Sequence, residues 1–152
     1  MSDQLINLVK NKFFVSKKWC LVIGDLILDQ YIFGDVERIS PEAPVPVIKK
    51  NKQHNRLGGA GNVALNLLGL GVKSLLVGNI GKDTNGKVFS NLCKEHNLST
   101  NGLIKDNRPT TSKTRVVAGH HQIARIDEEH ISDGPNAIDI KKIMKHINSN
   151  PS

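Results

Sequence analysis

The chain is short of aromatic residues, which make up 4% of its 152 positions, with a single Trp and a single Tyr. Its core must therefore be built from Leu, Ile and Val. A nucleic-acid face that stacks bases on rings has almost nothing to work with. Cysteine is nearly absent: Cys20 and Cys93 make neither a CxxC pair nor a zinc-ligand spacing. Both thiols fit a reducing compartment, and Cys20, set in an apolar run, reads as buried packing. The six histidines are scattered without a metal partner at ligand spacing, so no metal site is expected. No apolar run approaches the roughly 20 residues of a membrane span, and residues 1–18 carry no signal-peptide core. Neither a nucleophile elbow nor a Walker A loop occurs. The expectation is a cytoplasmic protein with no nucleic-acid and no membrane partner.

What is present in excess is positive charge, +7 overall. Such a balance suits nucleic acid, a membrane surface or a phosphorylated metabolite. Here the charge is dispersed, and Lys17-Lys18 and Lys49-Lys50 are pairs rather than a tract, which fits solubility first. The length suffices for one modest domain.

Buried and half-polar runs alternate along the sequence. Residues 3–14 repeat apolar positions at helical spacing. Trp19 to Ile23 is a continuous β-rich run, the pattern of a strand buried on both faces in a parallel sheet, and it ends in Gly24-Asp25. Tyr31 to Ile39 alternates as a half-exposed strand. Ser40 to Pro46 holds three prolines, which forbid helix and withhold ladder donors; an extended crossing from one layer to another is expected, with a return strand over Val45 to Lys50. Residues 60–70 read as a helix closed by Gly69 and Gly71. Ser74 to Val77 reads as a short buried strand, Thr84 to Asn97 as a helix, and Leu103-Ile104 as a strand. Thr114 to Ala118 and Gln122 to Ile126 form a hairpin turning at Gly119-His120. A turn at Gly134-Pro135 leads into a last helix over about 137–147. Together these give an α/β layer sandwich, with the polar-alternating strands as a second, projecting sheet.

Three constellations carry chemistry. Gly58, Gly59 and Gly61 precede the helix, baring backbone N–H groups where an oxygen-rich ligand would meet them, with the Asn62 amide beside them. The same residues satisfy GxGxxA. However, 51–57 are polar and unlike a preceding strand, and no acid follows Gly78-Asn79, so a dinucleotide site is rejected. Asp25 and Asp29 follow the first buried run, at the strand ends where α/β sheets hold ligands; Asp25 can accept two hydroxyls or merely cap a turn. Lys113 and Arg115 alternate onto one strand face, which suits either a phosphate or solvent.

Gly58-Gly59, Asn62, Ala64, Gly71 and Gly81 match the N-terminal signature of the ribokinase (PfkB) family of carbohydrate kinases, which the chain resembles from about Val15 onward. The strings Gly24-Asp25-Leu26-Ile27-Leu28-Asp29-Gln30-Tyr31 and Arg38-Ile39-Ser40-Pro41-Glu42-Ala43-Pro44-Val45-Pro46-Val47 are similar to those of bacterial D-glycero-β-D-manno-heptose 7-phosphate kinases, as are Thr114-Arg115-Val116 and Ile123-Ala124-Arg125-Ile126-Asp127. The resemblance implies a ribokinase-like layer sandwich with a mostly parallel sheet and a small β lid over about 30–50 and 112–127. It implies transfer of the ATP γ-phosphoryl to the anomeric hydroxyl of heptose 7-phosphate, on the route to ADP-heptose for the lipopolysaccharide core. Asp25, Gly58, Gly59 and Asn62 match positions that hold sugar hydroxyls. Arg38, Lys113, Arg115 and Arg125 are candidates for lid or phosphate contacts.

The family's DTxGAGD-type loop, with its catalytic Asp and anion hole, does not occur in the 152 residues. Residues 1–152 are therefore expected to be the N-terminal part of one kinase domain, with the ATP and Mg2+ sites outside them and no catalytic residue within. The implied partners are the sugar phosphate and a second copy through the lid or a complementary C-terminal half. The alternatives are a non-catalytic binding module that pairs with such a half, or another PfkB-type sugar kinase.

Overall fold

The computed structural model describes residues 19–130 together with Met144. The helices expected over 3–14 and 137–147, and the turn at Gly134-Pro135, lie outside the described residues except for Met144, which is helical. A first sheet holds β1 (Cys20–Ile23), β4 (Ser74–Gly81) and β5 (Leu103–Asp106) in the order β1-β4-β5, all parallel. β4 is the central strand and is buried almost throughout, as a strand covered on both faces must be. The helices α1 (Ala60–Gly69) and α2 (Thr84–Glu95) pack Ala64, Phe89 and Cys93 against Val22, Leu76 and Ile80 on one face. Leu75 and Val77 cluster with Trp19, Leu21 and Ile104 on the other.

A second sheet projects from the first. Its order is β3 (Pro46–Gly59), β2 (Leu26–Ile39), β6 (Ser112–Ala118), β7 (His121–Glu128). β2 pairs antiparallel with β3 and parallel with β6, and β6 pairs antiparallel with β7. The root of this sheet is apolar and sealed: Leu26, Leu28 and Leu57 are buried. Its far end is wet on both faces, and β7 is exposed along its whole length. The arrangement is the expected α/β sandwich with a projecting sheet. The hairpin at Gly119-His120 is where the alternation places it, with Gly119 at φ +58°, the left-handed geometry that glycine adopts freely.

Several expectations change. The proline-rich stretch does not cross between layers. It closes the β2–β3 hairpin, where the Ser40 N–H donates to the Val45 carbonyl at 2.8 Å, and Pro46 is tolerated as the first residue of a strand. Residues 51–57 are strand despite their polarity, because β3 is a sheet edge with solvent on both sides over most of its length. Asp29 lies within β2 rather than in a loop, and β4 runs on past Val77 to Gly81. The buried thiol is Cys93, whose burial pushes its pKa up to about 11; Cys20 is half-buried. β1 is only partly covered, with Ile23 47% exposed. α2 ends at Glu95, with the exposed His96 as its C-cap.

Candidate active site

A cavity of about 380 Å³ opens where the parallel strands end. Gly24 and Asp25 follow β1, Asn79 and Ile80 lie at the end of β4, and Asp106 and Arg108 end and follow β5. This is the ligand-bearing edge of an open α/β sheet. The second sheet closes the cavity from above with Ile27 and Lys113. Strand alternation puts Ile27, Asp29, Tyr31 and Phe33 of β2 on one face. Register puts Arg56 and His54 of β3 and Lys113 and Arg115 of β6 beside them. The face above the cavity is thus cationic and aromatic: Tyr31 stacks with Phe33, and the guanidinium groups of Arg56 and Arg115 lie 5.4 and 5.2 Å from the Tyr31 ring centre.

Lys113 and Arg115 of this face have acidic partners. Arg115 donates to Asp29 at 2.6 Å, and this bond raises its pKa above the usual guanidinium value. Lys113 pairs with Glu129 at 2.9 Å and, more distantly, with Asp127, and the Glu129 bond raises its pKa. Arg125 holds Asp127 with two bonds of 2.9 and 2.8 Å. Arg108 bonds Asp106 at 2.6 Å, lowering that carboxyl's pKa. An incoming phosphate has to compete with or rearrange these pairs.

The sequence-derived residues divide into three groups. Asp25 and Lys113 line the cavity, and Asp25 is exposed, its carboxylate accepting no hydrogen bond from any described residue. Gly58, Gly59 and Asn62 stand at the junction of β3 and α1, with Gly59 against the Asp25 carbonyl, but do not line the cavity. The glycines make room for protein groups. A Cβ at Gly58 would collide with the Asp29 carboxylate, one at Gly59 (φ +54°) with the Asp25 carbonyl, and one at Gly61 would lie 3.0 Å from Phe89. The first amide of α1, Ala60 N–H, already donates to the Asp25 carbonyl at 2.9 Å. Asn62 is exposed on the first turn. Arg115 and Arg125 stand farther out on the lid, and Arg38 is at its far end, one residue before the β2 terminus. The sequence reading missed Asn79, Asp106, Arg108 and Thr111. The strand-end rule applied to Asp25 would have found the first two had β4 and β5 been followed to their ends.

The wall between β5 and β6 is fixed by a clasp. Asp83, the N-cap of α2, accepts from Gly86 N–H and the Thr110 hydroxyl on Oδ1 and from Thr110 N–H on Oδ2, each at 2.7 Å. Thr110 is buried and accepts from Gly81 N–H at 2.8 Å. Burial pushes the Asp83 pKa up, but the bonds from Thr110 and Gly86 outweigh it and the net shift is downward. This carboxylate follows β4, where a ribose-binding acid would be sought, yet it is fully engaged within the protein.

Among the described residues no three His, Cys, Asp or Glu side chains gather as a metal site, and no helix is long and apolar enough to cross a membrane. The described fold is similar to Escherichia coli phosphofructokinase-2 in complex with substrates and products, at TM-score 0.61 and 16% identity over 89% of this chain and 42% of that one. It is also similar to Arabidopsis thaliana ribokinase complexed with ribose and ATP, at TM-score 0.57 and 20% identity over 72% and 35%. By sequence, the chain is 50% identical over 126 residues to the bifunctional protein HldE of Helicobacter pylori strain P12, and 44% identical over 130 residues to that of Methylobacillus flagellatus. It covers 27% of the length of each. A family model, the pfkB family carbohydrate kinases, matches residues 17–142. A glycine-led helix, parallel strands ending on a cavity and a sheet overhanging it thus agree with the sequence match: the chain belongs to the pfkB family of carbohydrate kinases.

Proposed function

We propose that these 152 residues form the sugar-holding and lid part of a heptose 7-phosphate kinase and belong to a single kinase domain whose ATP-binding part lies outside them. The reaction is transfer of the ATP γ-phosphoryl to the C1 hydroxyl of D-glycero-β-D-manno-heptose 7-phosphate, supplying ADP-heptose for the lipopolysaccharide core. The observation that carries the reading is the cavity shared by strand ends and lid, lined by an Asp25 carboxylate that is unpaired among the described residues. The 44–50% identity to HldE proteins supports this substrate over other sugars.

Within this reading Asp25 orients the sugar by accepting its hydroxyls. Ile27 and the lid exclude water above it, and Lys113, released from Glu129, meets the phosphate with Arg115 and Arg125 next along the lid, whereas Arg38, nine strand residues beyond Asp29, lies too far out to share it. Gly58 and Gly59 let the β3–α1 corner close on Asp29 and the Asp25 carbonyl, which sets where Asp25 stands, and Asn62 follows on the first turn of α1. ATP with Mg2+ supplies the phosphoryl group. No Gly-rich anion-hole loop of the DTxGAGD type occurs in the sequence, so no residue here is assigned to nucleotide, base or metal. Phosphoryl transfer relies on positioning and charge neutralisation, and the chain binds sugar phosphate without turning over ATP.

Calorimetric titration with heptose 7-phosphate, alongside an ATP-consumption assay, tests this. Saturable binding without turnover is expected. Absence of binding would falsify the sugar site, and steady ATP-dependent phosphorylation would overturn the inactivity. Since the chain covers 27% of its HldE relatives, a separately supplied C-terminal half is the natural partner, and mixing the two is expected to restore turnover.

A further inference from the structure

We propose that Asn79 contacts the sugar, working with Asp25 as a hydroxyl-binding pair that helps set which sugar fits; this rests on the sugar-kinase reading above. Asn79 is the only side-chain amide in β4, whose sequence is otherwise Ser, Leu, Val, Ile and Gly. Its Oδ1 is shut off from solvent and accepts no hydrogen bond among the described residues. Buried polar atoms are almost always partnered, and an unpartnered one carries a desolvation cost. An apolar residue would suit the strand better on packing grounds alone.

The position explains why an amide is useful there. Ile23, the last residue of β1, pairs with Val77 of β4, so Asp25, just past the end of β1, and Asn79, two residues beyond Val77, reach the same sheet edge, and both line the cavity. Gly78 holds the approach close, since a Cβ there would run into Leu26 and the Gly24 carbonyl. The chemistry of the two groups is complementary. Asp25 can only accept, whereas an amide both donates and accepts. A vicinal diol matches them: one hydroxyl donates to the carboxylate, while its neighbour accepts from Nδ2 or donates to Oδ1. The terminal amide torsion is soft, so Asn79 can turn its oxygen toward the hydroxyl. Asp106 with Arg108, and Lys113 with Glu129, are already ion-paired, whereas Asp25 and Asn79 keep bonding capacity for a neutral polyol.

The experiment combines titration with heptose 7-phosphate and with inorganic phosphate, and thermal melting without ligand, for the parent chain, Asn79→Leu and the smaller Asn79→Ala. For both variants the sugar phosphate is expected to bind about tenfold more weakly, with inorganic phosphate unaffected. The Leu variant should melt at or above the parent temperature, because it removes the orphaned amide. Parent-like sugar binding by either variant, or a Leu variant that melts clearly lower, overturns the assignment of Asn79 alone. A parent chain that fails to bind the sugar phosphate overturns the sugar-kinase reading, and this inference with it.

Discussion

The two sheets are held together by different physics. In the β1-β4-β5 sheet the strands are short and register follows from burial, since sliding β4 by one residue would exchange the Phe89-facing and Trp19-facing clusters. In the β3-β2-β6-β7 sheet two strands are 14 residues long and are buried mainly at the root, in the first residues of β2 and near the end of β3. There, hairpins, ladder bonds and ion pairs such as Asp29–Arg115 set the register. The first sheet is a platform whose stability is hydrophobic. The second is an arm that leaves its polar groups accessible, as a sheet that meets a phosphorylated sugar requires.

Removing contacts from each sheet breaks or sharpens this contrast. The largest effect is expected for Phe89→Ala, which empties a fully buried site and should cost about 3–5 kcal/mol in urea unfolding. Asp83→Ala, which cuts the clasp where the chain leaves one sheet for the other, should cost about 2 kcal/mol through the lost cap and the orphaned Thr110 groups. Asp83 also predicts a pH dependence. Its folded pKa lies below the ordinary 3.8. The stabilisation is therefore present above the unfolded value and is lost as pH falls through the lower folded one; acid unfolding should be less steep in Asp83→Asn. A double-mutant cycle on Asp29 and Arg115 should give a coupling of roughly 1 kcal/mol. It should also loosen amide exchange in the lid more than in β4. Least of all, Ile126→Thr, at a 55% exposed position, should change stability by under about 0.5 kcal/mol. Equal losses for Phe89→Ala and Ile126→Thr would show that the two sheets are not distinct in kind.

The layered fold was legible wherever burial writes a pattern. The apolar run before Gly24, the glycine-led helix and the Gly119 turn all declare themselves locally. The length of β3 was hidden because a doubly wet edge strand such as Lys49 to Arg56 carries no apolar period. The course of Ser40 to Pro46 was ambiguous because prolines specify φ but not direction. At the site, Asp25 was legible from the strand-end rule. Asn79 comes within reach of the same rule only once β4 is followed to Gly81, and its unmet hydrogen bond is recorded by no spacing. The glycine cluster was visible as a motif, but what fills the space beside each glycine depends on Asp29, the Asp25 carbonyl and Phe89, which come from three different parts of the chain.

β2 and β3 run from the core to the tip of the lid as one ladder, interrupted by register shifts between Phe33 and Gly34 and between Val36 and Arg38. On the β3 side the cantilever passes straight into α1 at Gly59-Ala60, with no loop there about which to swing. Any bending concentrates where the ladder is interrupted, so the outer half travels while Ile27, Asp29 and the roof directly above the cavity stay still. Access for a guest molecule is then governed at the rim, and the stiffness of that rim is written in a few residues around Gly34.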